Sequence, residues 1–85
     1  MISVRVKTVQ SIRSEVAGLL RQKREGQSLS LQQLAKKAGL SRQMVSYVEQ
    51  ERRNPSLDVL LRITEVLGVK LEDILRKARA QAKKY

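Results

Sequence analysis

The sequence predicts an all-α fold, a compact bundle of five short helices. Apolar residues recur at three- and four-residue spacing along most of the chain, the period of helices with one buried face. Each such stretch is bounded by a capping serine or a terminating glycine: Gly26, Ser30, Gly39, Ser41, Ser56 and Gly68. With 85 residues the chain makes one small domain with a single modest core.

Residues 1–10 are the exception. Ile2, Val4 and Val6 alternate with Ser3, Arg5 and Lys7. Alternation with β-branched residues suggests a short strand, which needs a partner such as the same segment of a second subunit. A short basic arm fits the same residues equally well. The first helix is expected from about residue 10 or 11 to 24. Its apolar face is Ile12, Val16, Leu19 and Leu20, and its polar face is Arg13, Glu15, Arg21 and Lys23. Gly26 ends it, and Leu29 is placed to staple the loop that follows.

Ser30 caps the second helix, and Gln33 completes a capping box. Leu34, Ala35 and Ala38 form its apolar stripe. Gly39 then offers the left-handed turn that often ends a helix, and Leu40 tucks inward. Ser41 caps the third helix, about 41–50. Val45 and Val48 face inward; Arg42, Gln43, Ser46 and Tyr47 face outward. Spacing alone fits an ordinary helical hairpin as well as a DNA-reading unit. Two facts favour the second. Arg and Gln at the first turn are the side chains that make paired hydrogen bonds to guanine and adenine edges, and the whole chain is basic. Residues 50–56 form a loop, with Pro55 disfavouring helix at Asn54. Ser56 caps a fourth helix, about 57–67, with Leu57, Leu60, Leu61, Ile63 and Leu67 as its apolar surface and Gly68 as its stop. A fifth helix runs from about 71 to 78 or beyond. Glu72 and Asp73 in its first turn, and Arg76, Lys77 and Arg79 later, suit the helix dipole. This divides the chain into an arm or strand (1–10), a helical unit (11–78) and a basic tail (79–85). The third helix is expected to rest on the other four, with its outer face free.

Composition narrows the partners. The net charge is +10, from 18 basic and 8 acidic residues, which implies an anionic partner. There is no Cys and no His, so disulfides, thiol chemistry and nearly all transition-metal sites are excluded, and neither cofactor nor metal is expected. Two Tyr, no Phe and no Trp give no platform for stacking single-stranded bases. The shortage favours a duplex. No apolar run approaches the roughly 20 residues of a membrane span, and MISVRVKTVQ makes a poor secretory signal. A cytoplasmic, nucleoid-associated protein is expected.

The ordered residues resemble the phage-repressor-like (Cro/C1-type, XRE) helix-turn-helix family. The matching pieces are Arg24, Ser30, Leu34-Ala35, Ala38-Gly39-Leu40-Ser41, Val45, Val48-Glu49, Arg53, Pro55-Ser56-Leu57, Leu60, Ile63 and Leu67-Gly68-Val69. They run in order from about residue 12 to 75. The resemblance implies a lambda-repressor-like DNA-binding domain whose third helix enters the major groove. It places Arg42 and Gln43 at the principal base-reading positions, with Ser46 and Tyr47 one turn on. It aligns Arg52, Arg53 and Asn54 with the family's backbone-gripping loop. The start of the second helix independently offers free amides and a positive dipole end, so Ser30 and Gln32 are phosphate candidates, with Lys36 on the flank. The resemblance also implies that Arg24 and Glu49 pair to hold the third helix. One position departs from the pattern. Glu51 stands where the family usually has Gly, so the chain either adopts positive φ at a non-glycine residue or leaves the helix by another path.

The expected function is a sequence-specific double-stranded DNA-binding transcriptional regulator, a repressor acting as a homodimer on a near-palindromic operator. Candidate dimer surfaces are the N-terminal segment and the fifth helix, through Ile74 and Leu75. A second reading is an antitoxin that binds a toxin and represses its own operon. Membrane binding is disfavoured because Ala78, Ala80 and Ala82 are too small to anchor a helix. Enzymatic activity is not expected: no nucleophile–base pairing stands out.

Overall fold

The computed structural model describes residues 5–82. Five helices follow one another: α1 (Val6–Gly26), α2 (Leu31–Ala38), α3 (Arg42–Glu49), α4 (Leu57–Leu67) and α5 (Leu71–Ala82). Each presents one face to a single core. Leu20 of α1, Leu34 of α2, Val45 of α3, Ile63 of α4 and Ala78 of α5 are its most buried members. The most extensive helix–helix contact is α1 on α5, where the small side chains of Ala78 and Ala82 are buried. α3 rests mainly on α2 and α1; α4 backs α2, and α5 backs α1. Of the expected base of four helices, α2 and α1 touch α3 most, and α4 and α5 stand behind them.

Three serines start three helices as the sequence implies. Ser30 accepts from the Gln33 amide while Gln33 Oε1 accepts from the Ser30 amide, a complete capping box. Ser41 accepts from the Met44 amide and Ser56 from the Val59 amide.

The helix ends are more varied than the sequence suggests. Gly39 (φ 70°) and Gly68 (φ 72°) close α2 and α4 in the left-handed region. The amides after them reach five residues back, Leu40 to the Ala35 carbonyl at 2.9 Å and Val69 to that of Thr64 at 3.1 Å. The same Schellman pattern closes α1 and α3 without glycine. Ser28 (φ 58°) and Glu51 (φ 60°) take the left-handed position, with Leu29 bonded to the Arg24 carbonyl and Arg52 to that of Tyr47. Gly26, expected to end α1, is its last helical residue instead. A non-glycine residue in this region costs about 1–2 kcal/mol, partly offset by glycine's extra freedom when unfolded. Ser28→Gly is expected to stabilise the fold by about 0.5–1 kcal/mol, seen as a higher Tm in thermal unfolding.

The N-terminal strand or arm is corrected over its described part. Residues 6–10 are helical, and α1 runs through the expected boundary at residue 11. From Val9 onward the apolar positions 9, 12, 16 and 19/20 already follow the helical period, and extending a formed helix adds one hydrogen bond per residue fixed. A lone strand would have gained no partner. Ile2 and Val4 lie outside the described residues, as do Lys83 and Lys84 of the tail. At the other end α5 runs through residue 78 to Ala82.

Two further apolar expectations change. In α4 the buried stripe is Val59, Ile63 and Leu67, joined by Thr64, whose hydroxyl donates to the Leu60 carbonyl. Leu57 and Leu61 lie on the opposite side, 65% and 49% exposed. In α5, Ile74 is part of the core and only Leu75 is exposed, so Ile74 cannot serve a dimer surface.

Candidate nucleic-acid interface

The turn between α2 and α3 is rigid for local reasons. The left-handed Gly39 and its two returning amides fix the exit of α2, and Ser41 fixes the entry to α3. Arg62 of α4 adds a brace: it donates to the Ala38 carbonyl at 3.3 Å and is oriented by Asp58 at 2.8 Å. A Cβ at residue 39 would lie 2.9 Å from that guanidinium.

Inward residues Val45 and Val48 bury one side of α3. Arg42 and Gln43 are exposed at its first turn; Ser46 and Tyr47 are half-buried one turn on. Gln43 Nε2 donates to Tyr47 Oη, and Gln50 Nε2 donates to Ser46 Oγ at 3.1 Å. Arg53 lies over the Tyr47 ring, 5.4 Å from its centroid. Ser30, Gln32 and Lys36 are exposed at α2, and Arg52, Arg53 and Asn54 on the α3–α4 loop. Capping occupies the amides of Ser30 and Gln33, leaving those of Leu31 and Gln32 without a helical carbonyl partner. The Ser30 hydroxyl accepts the cap bond and keeps its own proton to donate.

Arg24 and Glu49 tie α1 to the end of α3. Arg24 Nε and Nη2 donate to the two carboxylate oxygens at 2.7 and 2.9 Å, and Nη1 donates to the Leu29 carbonyl at 2.8 Å. The side chains are 11% and 8% exposed. The Glu49 hydrogen bond raises the Arg24 pKa above its ordinary value, against the opposing pull of burial.

Glu51 takes the positive-φ alternative, so α3 ends at Glu49 and the loop leaves as a glycine there would direct it. Its carboxylate accepts from the Ser14 hydroxyl at 2.6 Å, which holds it against α1. Next to it Arg13 Nη1 donates to Asn54 Oδ1 at 3.0 Å, leaving Asn54 Nδ2 as the donor for an anion. Sequence reasoning missed Arg13, Ser14 and Gln50 as parts of this site. Gln50 stands four residues after Ser46, a spacing that signals such a pair. Arg13 and Ser14 meet partners 41 and 37 residues away, and no local pattern marks them.

Charge is arranged to match. Residues 26–48 contain no acid. Arg21, Arg62 and Arg76 are ion-paired with neighbours on their own helices, whereas Lys36, Arg42 and Arg52 make no ion pair among the described residues. Among the described residues there is also no group of three or more Asp and Glu side chains that could hold a metal ion. No described helix is long and apolar enough to cross a membrane.

A helix-turn-helix family model matches residues 20–74, which include all of α2, α3 and α4. The chain belongs to the XRE-type helix-turn-helix family. Relatives of this family carry the same segment. It is 42% identical over 53 residues to an HTH-type transcriptional regulatory protein of Methanosarcina barkeri, covering 62% of this chain and 16% of that protein. It is 43% identical over 47 residues to an HTH-type transcriptional regulator of Methanocaldococcus jannaschii, covering 55% of this chain and 71% of that one. The chain thus spans less than a fifth of the Methanosarcina relatives (16% and 19%). Among solved structures, the clp gene regulator ClgR from Corynebacterium glutamicum superposes with a TM-score of 0.77 at 25% identity, over 85% of this chain and 77% of that one.

Proposed function

We propose that this XRE-family chain is a sequence-specific double-stranded DNA-binding transcriptional regulator, a repressor that works in the cytoplasm at the nucleoid. It binds as a dimer to a near-palindromic operator, with α3 in the major groove. The observation that carries this reading is the first turn of α3. Arg42 and Gln43 stand exposed, Arg42 without an ion pair among the described residues, on a helix whose other side is buried and braced. Arg42 is matched to guanine O6 and N7, and Gln43 to adenine N6 and N7. Ser46 and Tyr47 reach the next bases. Ser30, Gln32, Lys36, Arg52, Arg53 and Asn54 grip phosphates on either side and set the register. Arg24 and Glu49 hold α3 at its angle.

One such domain buries too little surface to select a genomic site alone. Exposed Val6 and Val9 on α1 and Leu75 on α5 supply apolar surface for a second copy. Beside Leu75 lies a groove of about 230 Å3, lined by Ile12, Val16, Pro55 and Leu60.

Selection of bound sequences from a random duplex pool tests the reading. The expected result is a near-palindrome with half-sites about 34 Å apart, centre to centre. A pool with no enriched sequence, or a protein that stays monomeric on its selected DNA, counts against it.

A further inference from the structure

The side chains on the outer face of α3 are coupled. Gln43 Nε2 donates to Tyr47 Oη at 2.5 Å, one helical turn further on. Arg53, from the following loop, stacks on the same ring. Gln43 and Arg53 are exposed, while Tyr47 is half-buried. A partly anchored ring therefore sits between a base reader and a phosphate gripper.

The direction of that hydrogen bond matters for readout. A primary amide has two usable edges. The edge made by its oxygen and one N–H matches adenine, which offers a donor at N6 and an acceptor at N7. The NH2 end alone presents two donors and suits the two acceptors of guanine. When the N–H turned away from the amide oxygen is the one given to the tyrosine, the NH2 end is no longer free to face a base, and the oxygen with the other N–H remains as the mixed edge. A free glutamine would sample many rotamers and both amide orientations, and ordering it before contact lowers the entropy lost on binding.

We infer that Tyr47 is a positioning residue for Gln43: its hydroxyl holds the amide in the orientation that reads adenine and so sets the base preference at that position. The inference rests on the proposed DNA-reading role of α3. Arg53 steadies the ring, which links the phosphate-gripping loop to the reading turn.

Tyr47→Phe removes the hydroxyl and keeps the ring and its Arg53 stack. It is compared with Gln43→Ala and the double variant on three duplexes. These are the selected operator, the operator with guanine in place of adenine at the pair where Gln43→Ala relaxes selection, and random DNA. Tyr47→Phe is expected to reduce the adenine-over-guanine preference about two- to tenfold. At that base pair it should add nothing to the preference already lost in Gln43→Ala. In the free protein it should shift the Gln43 side-chain amide resonances. Wild-type preference in Tyr47→Phe, with preference lost in Gln43→Ala, overturns the positioning role and leaves the reading of α3 standing. A Gln43→Ala variant that weakens operator and random DNA alike removes the reading itself, and the inference with it.

Discussion

Glu49→Ala is expected to lower unfolding stability by about 3–5 kcal/mol, read as a shift in the urea midpoint at unchanged m. The side chain does more than pair with a cation. Its two oxygens receive two parallel N–H groups of Arg24, and both side chains are about nine-tenths buried. Removing the carboxylate leaves the guanidinium in place, still bonded to the Leu29 carbonyl, with only the half-exposed Glu25 carboxylate, 3.9 Å away, to offset its charge. The asymmetry supplies the control. Replacing both partners, as Arg24→Met with Glu49→Leu, removes the pair together with its desolvation cost and should lose much less than Glu49→Ala. The pH dependence follows from the sign of the Arg24 shift. A cation whose folded pKa is raised contributes stability that is complete below its unfolded value and is lost only above it. The Arg24 contribution therefore persists through neutral pH and disappears only in strong alkali. A double replacement as damaging as the single one would show that the pair is irreplaceable for some reason other than buried charge.

What could be read from the chain divides by range. The caps at Ser30, Ser41 and Ser56 are interactions over three residues, so residue type and spacing suffice to place them. Gly39 and Gly68 announce left-handed turns because glycine adopts them freely. Ser28 does not announce one: nothing in a serine signals φ 58°, and the turn is imposed by Leu29 and Arg24 closing the loop around it. Glu51 was foreseeable only as a choice between positive φ and another path, and its contact with Ser14 goes with the first. Over residues 6–10 the expectation misled because Val6 and Val9 join a helical stripe only when it is followed into α1. At the candidate interface the outward positions of α3 came from helical spacing alone, and the Gln43–Tyr47 and Ser46–Gln50 pairs are also local. The link from Arg13 to Asn54 exists only once α1 lies beside the α3–α4 loop. The exposure of Leu57 and Leu61 depends in the same way on where α4 docks.

Arg42→Ala and Arg53→Ala should fail in different ways, and the contrast separates readers from grippers. Arg42 is the first residue of α3, exposed and without an ion pair among the described residues, so little of its binding energy is tied up in the free protein. If it holds a guanine by two hydrogen bonds, Arg42→Ala should lose about 1–3 kcal/mol on the selected operator, relax selection at one base pair, and change random-DNA affinity far less. Arg53 is proposed to meet DNA through charge. Its loss should weaken operator and random DNA about equally and flatten the salt dependence of binding by roughly one unit. Its stack on Tyr47 adds one refinement: releasing the ring should cost some preference at the Gln43 position and none at the Arg42 position. Titrations at several salt concentrations on both duplexes measure all of these quantities together. Equal losses on the two duplexes for Arg42→Ala, with the slope falling as it does for Arg53→Ala, would make Arg42 another phosphate contact. Sequence choice at the start of α3 would then rest on Gln43 alone.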